Sequence, residues 1–386
     1  MKSIIDYIHK YGSVSIAEMP LNEVDSLILS QLSYLKYDGM VPMLHDKLPF
    51  VTPAKIREME EYDNLFEDRR YESNNRALFE AVAESTRFGS MLLGNYVSMT
   101  DSEWELQFSA ITYTFENGTF YLAYRGTDET IIGWKEDCNM ALITPIPSQE
   151  KAMQYLNLIG DMSHGNFYVG GHSKGGNLAV YAASTCLDSV ASRIISIYNH
   201  DGPGFKKDTI TISDGYRKIS DRIHKFLPHS SIVGMLMQSD EQAEIIECKS
   251  FGILQHDPFN WIVDGDSFRR VGSLYEHVSI KDETVNQWID NMSDDERRVF
   301  VDELFNVFSS TGATTLLDIM DDFYSNSIAM KNAIEELDPK NREIIEKILA
   351  DLQKSLQEVM KIRVKEKIEP YFATWLDKWN NGKKNE

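Results

Sequence analysis

At 386 residues with 42% hydrophobic side chains, the chain has ample material for one large globular core or two. Its formal net charge of −21 excludes nucleic acid or an anionic membrane surface as the main partner, because either would be repelled by most of the surface. Cys138, Cys186 and Cys248 are odd in number, far apart and without CxxC spacing, which excludes a disulfide framework and a structural zinc site.

Residues 1–12 are expected to form a short amphipathic helix with Ile4, Ile5 and Ile8 on one face. Asp6, His9 and Lys10 interrupt any signal-peptide core, and no apolar run is long enough to span a bilayer, so a cytoplasmic setting is expected. Asn22 is a cap for a buried helix with apolar positions Val24, Leu27, Ile28, Leu32 and Leu35. Residues 55–76 are very polar and are expected to be a solvated helix or loop, and helical spacing returns from Leu78 to Leu93, ending before Gly94-Asn95.

Alternation on both sides of Asn117-Gly118 predicts an antiparallel hairpin from Gln107 onward. Its second strand delivers Arg125-Gly126-Thr127-Asp128, followed by Gly133-Trp134-Lys135-Glu136-Asp137. A helix from Ser148, its expected cap, to Ile159 leads to a strand at Phe167–Val169. Next comes Gly171-x-Ser173-x-Gly175, then a small-residue helix through Leu178, Ala179, Ala182 and Ala183. A serine lifted clear of a sheet needs a very tight strand-to-helix turn, in which side chains two residues to either side would collide with backbone. The helix that follows points its amides and positive dipole end at any oxyanion formed there.

Arg193–Asn199 is a β-branched strand running into His200-Asp201-Gly202-Pro203-Gly204, at the kind of carboxyl end where open α/β sheets bind ligands. Strands at 223–227 and 244–249 flank an apolar, methionine-bearing stretch expected to be core, the alternative being the border of a substrate cleft. Beyond about residue 280 the pattern is helical throughout (284–292, 294–309, 314–325, 339–364). The charged helix near 340–366 suits either a packed surface helix or a coiled-coil seam for a homo-oligomer. The expected organisation is therefore an α/β unit over 1–280, with an N-terminal helical segment over 1–100, and a helical region over 281–386.

The Tyr124–Asp128 block, the Gly133-Trp134-x-x-Asp137 block and Gly171-His172-Ser173-x-Gly175-Gly176-Asn177-Leu178-Ala179 together resemble the class 3 lipase family of α/β-hydrolases. With Asp201-Gly202-Pro203-Gly204-Phe205 they are more similar still to a bacterial domain-of-unknown-function branch of that superfamily. The resemblance covers about residues 20–275. It implies an α/β-hydrolase fold, with a mostly parallel central sheet flanked by helices, plus a C-terminal all-helical extension that the resemblance does not reach. It also implies an oxyanion hole built from the amides of Thr127 and Lys174, and a structural role for Asp137. Two departures stand out. Lys174 puts a cation where the lipases carry an aliphatic residue beside the nucleophile, and the region where they carry their acid reads Leu227-Pro-His-Ser-Ser-Ile-Val-Gly234, without a carboxylate.

A serine hydroxyl becomes a nucleophile when a base takes its proton and an acid holds that base in one tautomer; in this fold the chain order is serine, acid, histidine. His256, after the last strand and between Gly252 and Pro258, is the candidate base, with His229 in reserve and His172 weaker. Asp201 is the candidate acid; Asp240 is the alternative, followed by Asp257. The expected chemistry is hydrolysis of a small-molecule ester or thioester, of acyl or lipid type, through an acyl-Ser173 intermediate, with no metal and no organic cofactor. A peptidase using the same residues, and a non-catalytic binding or scaffolding module on the same fold, are the rival readings.

Overall fold

The computed structural model describes residues 3–272 apart from 68–70, 129, 141–142, 207, 230, 232, 238–240 and 251, and then residues 293–315, 318, 323–339 and 341–342. Two compact units divide the chain: residues 1–301 with 314–317, and residues 302–313 with 318–386.

In the first unit, α1 (Ile4–Tyr11), α2 (Glu23–Leu32), α3 (Pro53–Arg57) and α4 (Glu72–Glu84) precede the sheet. Asn22 caps α2 as expected, its side chain accepting from the amides of Val24 and Asp25 while Asp25 accepts from the Asn22 amide. The sheet has seven strands in sequential order: β1 (Leu92–Asp101), β2 (Leu106–Thr114), β3 (Phe120–Tyr124), β4 (Phe167–His172), β5 (Ile194–His200), β6 (Ile223–Pro228) and β7 (Ala243–Ile246). The first three pair antiparallel and β3 to β7 pair parallel. This is the mostly parallel, helix-flanked α/β architecture that the sequence implies. A small hairpin, β8 (Val263–Asp264) with β9 (Ser267–Phe268), follows.

One expectation fails at β1. The helical spacing from Leu78 stops at Glu84, and 92–101 is a strand rather than part of a helical segment. Gly94-Asn95, which reads as a helix stop, lies instead at a β-bulge where the register against β2 shifts, with Asn95 at φ 52°. The helix from 147 also begins one residue before its expected cap: α6 runs Pro147–Met162 with proline in its first turn, and the Ser148 amide donates to Glu136.

Side chains alternate across the strands, so the sheet carries two cores. Leu122, Tyr124, Phe108, Ala110, Val169 and Ile197 pack with α6, α7 (Lys174–Thr185) and α9 (Asp214–Ile219); a short α8 (Asp188–Ala191) leads into β5. Sequential parallel strands joined in one hand put their connecting helices on one face. The opposite face, with Tyr121, Ala123, Ile111, Tyr113 and Tyr198, is covered by α1, α2 and α4. The N-terminal helices are thus one of the three layers of the fold. They are also tied to its far end: Glu23 accepts from the Phe268 amide at 2.6 Å and pairs with the guanidinium of Arg270, which also meets Glu244 at 2.7 Å.

Beyond residue 293 the described regular structure is helical, α10 (Asp294–Ser309) and α11 (Phe323–Glu335). The expected helix over 284–292 and the seam near 340–366, apart from Asn341 and Arg342, lie outside the described residues.

Candidate active site

Ser173 is the single residue between β4 and α7, and its backbone sits at φ 60° and ψ −136°, a conformation a non-glycine residue adopts only when its surroundings enforce it. They do so through close packing. A Cβ on Gly175 would lie 2.1 Å from the Tyr124 carbonyl oxygen, and one on Gly171 would lie 2.3 Å from Gly175 backbone. The Ser173 amide donates to the His200 carbonyl at 2.9 Å, fastening the elbow to β5. A serine at a helix N-terminus ordinarily accepts from the helix amides, as Ser213 does for α9. Ser173 makes no such bond, because its positive φ turns the hydroxyl out of capping geometry. The hydroxyl is thus not spent on capping α7, while the Gly176 amide donates to the Ser173 carbonyl at 2.9 Å.

Asp201 directly follows β5, fully buried, at φ 55° and with its amide bonded to the Phe226 carbonyl at 2.9 Å. Its Oδ2 lies 2.7 Å from His256 Nδ1. A carboxylate only accepts here, so Nδ1 carries the proton and Nε2 is the basic nitrogen. The other oxygen, Oδ1, accepts a hydrogen bond from Ser231 Oγ, which in turn accepts from the Gly234 amide. Ser231 stands in the very stretch where the lipases carry their acid. Asp201 itself lies at the end of the preceding strand, and a hydroxyl from the carboxylate-free stretch Leu227–Gly234 supports it. His256 ends a short turn, Gly252–His256, and its ring lies against that of His172, centroids 4.4 Å apart. Ser173 and the His256–Asp201 pair flank the same stretch of backbone: a Cβ on Gly202, next to Asp201, would lie 2.7 Å from the Ser173 carbonyl oxygen. Among the described residues no hydrogen bond joins Ser173 Oγ to His256; such bonds are often long without substrate.

The other candidates are engaged elsewhere. Asp257 caps the turn Pro258–Asn260 through the Phe259 amide at 2.9 Å. His229 is buried, with Nε2 2.8 Å from Gln255 and Nδ1 accepting from the Cys248 amide. His200 is wholly buried against Tyr198, Phe226 and Trp261, and burial pushes its imidazole down to about 3. Asp240 lies outside the described residues.

On the opposite side of the elbow, Thr127 Oγ1 donates to Asp137 Oδ2 at 2.5 Å. Burial pushes the Asp137 carboxyl up to about 6, against the opposing pull of the Lys174 ammonium and the Thr127 hydroxyl. The Lys174 ammonium is buried, 2.9 Å from Glu136 Oε2, 2.9 Å from Gln107 Oε1, 3.1 Å from the Gln107 carbonyl and 3.7 Å from Asp137 Oδ1. Glu136 is likewise buried and also accepts from the amides of Gln107 and Ser148. This buried ion pair ties α7 to α5 (Ile131–Asn139), the helix carrying Asp137.

Sequence reasoning missed Ser231, Glu136 and Gln107 as supports of the site. Glu136 had a signal: an odd buried-position cation at 174 needs an anion, and Lys135-Glu136-Asp137 supplies two. Among the described residues no group of three or more histidine, cysteine or carboxylate side chains is arranged to hold a metal, and no described helix is long and apolar enough to cross a membrane.

The family model described as Mbeg1-like matches residues 82–306, more than half of the chain. No curated protein matches it. Among solved structures the crystal structure of M37 lipase is similar over 55% of this chain and 69% of that one, at 15% identity and a TM-score of 0.37, a distance at which no residue role is carried across.

Proposed function

The chain belongs to the Mbeg1-like family, an α/β-hydrolase, lipase-like lineage, and on that premise we propose that it is a serine hydrolase of small-molecule esters or thioesters. Ser173 Oγ attacks the substrate carbonyl carbon as His256 Nε2 takes the hydroxyl proton. Asp201 keeps the ring in the tautomer with Nε2 unprotonated and then faces the imidazolium. The negative oxygen of the tetrahedral adduct is held by the amides of Thr127 and Lys174. Collapse expels the alcohol or thiol, which leaves with the proton from His256, and water repeats the sequence on the acyl-serine. Trp134, exposed on α5, the helix that carries Asp137, offers apolar surface that suits an acyl substituent. The three cysteines are free thiols, in keeping with a reducing, cytoplasmic setting.

The observation that carries this reading is the 2.7 Å His256–Asp201 bond beside an uncapped serine at a strained elbow. A non-catalytic scaffold has no need of that pairing. The test is labelling with a fluorophosphonate, read by intact mass. One adduct on wild type that is absent from Ser173→Ala and His256→Ala is expected; a correctly folded wild type that takes no label refutes the proposal.

A further inference from the structure

Building on the hydrolase reading, we propose that Tyr34 and His172 form a clamp that positions the base: His172 holds the backbone and the ring of His256, and Tyr34 holds His172. The argument starts from hydrogen-bond chemistry. His172 is buried, with Nε2 2.7 Å from the carbonyl oxygen of His256. A carbonyl can only accept, so Nε2 of His172 carries the proton, and in the neutral ring Nδ1 is an acceptor. The Tyr34 hydroxyl lies 3.2 Å from that Nδ1 and 3.3 Å from the His172 carbonyl oxygen, and it donates to this pair of acceptors. The tautomer of His172 is therefore set from both ends.

His256 is held on three sides as a result. Asp201 takes its Nδ1–H, the His172 ring covers one face with the planes 35° apart, and His172 Nε2–H grips its backbone. The turn that carries His256 belongs to no strand of the main sheet, so these contacts decide where its Nε2 points. A histidine next to the nucleophile cannot reach the serine proton, since its side chain leaves the elbow in the other direction; from that side it reaches the base instead.

Tyr34 also touches the opposite wall. A Cβ on Gly126 would lie 2.2 Å from the Tyr34 hydroxyl, 2.6 Å from the His172 carbonyl and 3.0 Å from Ser173 Cβ. One hydroxyl thus sits where the oxyanion strand, the elbow and the base converge. It comes from the segment after α2, outside residues 82–306 that define the family match. The N-terminal layer is a working part of the site.

The test uses the full chain and two readouts. The first is solvent exchange of the His256 Nδ1–H proton, followed in proton NMR spectra and assigned by its loss in Asp201→Asn. The second is the pH profile of fluorophosphonate labelling. His172→Phe keeps a ring face and loses the donor, so exchange should quicken and labelling slow by about tenfold each. His172→Gln keeps a donor near the position of Nε2 and should recover to within about threefold. Tyr34→Phe should fall between them, and provides the measurement if His172→Phe does not fold. The clamp is overturned if His172→Phe, or in its place Tyr34→Phe, keeps the wild-type exchange rate, or if His172→Gln falls as far as His172→Phe. Failure of wild type to label would strike the hydrolase reading alone, because the exchange measurement still decides the clamp.

Discussion

Replacing Lys174 with methionine breaks the buried Lys174–Glu136 pair beneath the elbow and with it the weaker 3.7 Å contact to Asp137. The two side chains are 1% and 0% exposed, so neither charge has water to fall back on. Lys174→Met removes the ammonium at nearly constant volume and leaves Glu136 with only the amides of Gln107 and Ser148. Breaking a buried pair from one side costs about 3–5 kcal/mol, and the two surviving amide bonds put this case near the lower end, about 3 kcal/mol. That is a large share of a domain stability of about 5–15 kcal/mol. Equilibrium urea unfolding should show the lower midpoint at unchanged slope. Adding Glu136→Gln removes the stranded charge while the amide oxygen still accepts from backbone, so the double variant should recover to within about 1 kcal/mol of wild type. A single variant that loses less than about 1 kcal/mol, or a double variant no more stable than the single, would refute the reasoning.

Two further outcomes follow from groups on the other side of the sheet's end. His200 is buried neutral, with its Nδ1 unpartnered among the described residues and its Nε2 2.8 Å from Ser26 Oγ. Its folded-state pKa lies below the unfolded value, so the stability it contributes is present above about pH 6.5 and drains away as pH falls toward about 3. Between about pH 6.5 and about pH 4.5 wild type should lose about 2–3 kcal/mol that His200→Phe does not lose, measured as the difference in urea midpoints; equal losses would exclude His200 as the cause. Ser231→Ala strips the support from Asp201 Oδ1 and should slow fluorophosphonate labelling about tenfold with the fold intact. A wild-type labelling rate would show that His256 alone orients the acid.

The parts of the site written in adjacent residues were legible. The elbow is a local steric problem with a local solution in glycine, and the cap at Asn22 and the turn at Asn117-Gly118 are equally self-contained. The pairing of His256 with Asp201 could be anticipated from chain order and strand ends, although 55 positions separate them. What could not be read were side chains whose meaning depends on which strands become neighbours. Ser231 matters because β6 lies beside β5, and Lys174 finds its anion only when α5 packs against the first turn of α7. At β1 the difficulty was different: Gly94-Asn95 serves a bulge in a strand as readily as it serves the end of a helix, and spacing alone does not tell them apart.

The tie between Glu23 and Arg270 joins residues made far apart in time on the ribosome. Glu23 is made early, yet its partners at Phe268 and Arg270 lie 245 and 247 positions further on. At about 5–20 residues per second, about 12–50 s of synthesis separates the two ends of that contact. During that interval the apolar faces of α1, α2 and α4 have no completed sheet to cover. Stalled or truncated products ending before residue 270 should be cleared as unfolded protein even though the entire nucleophile elbow has already been made.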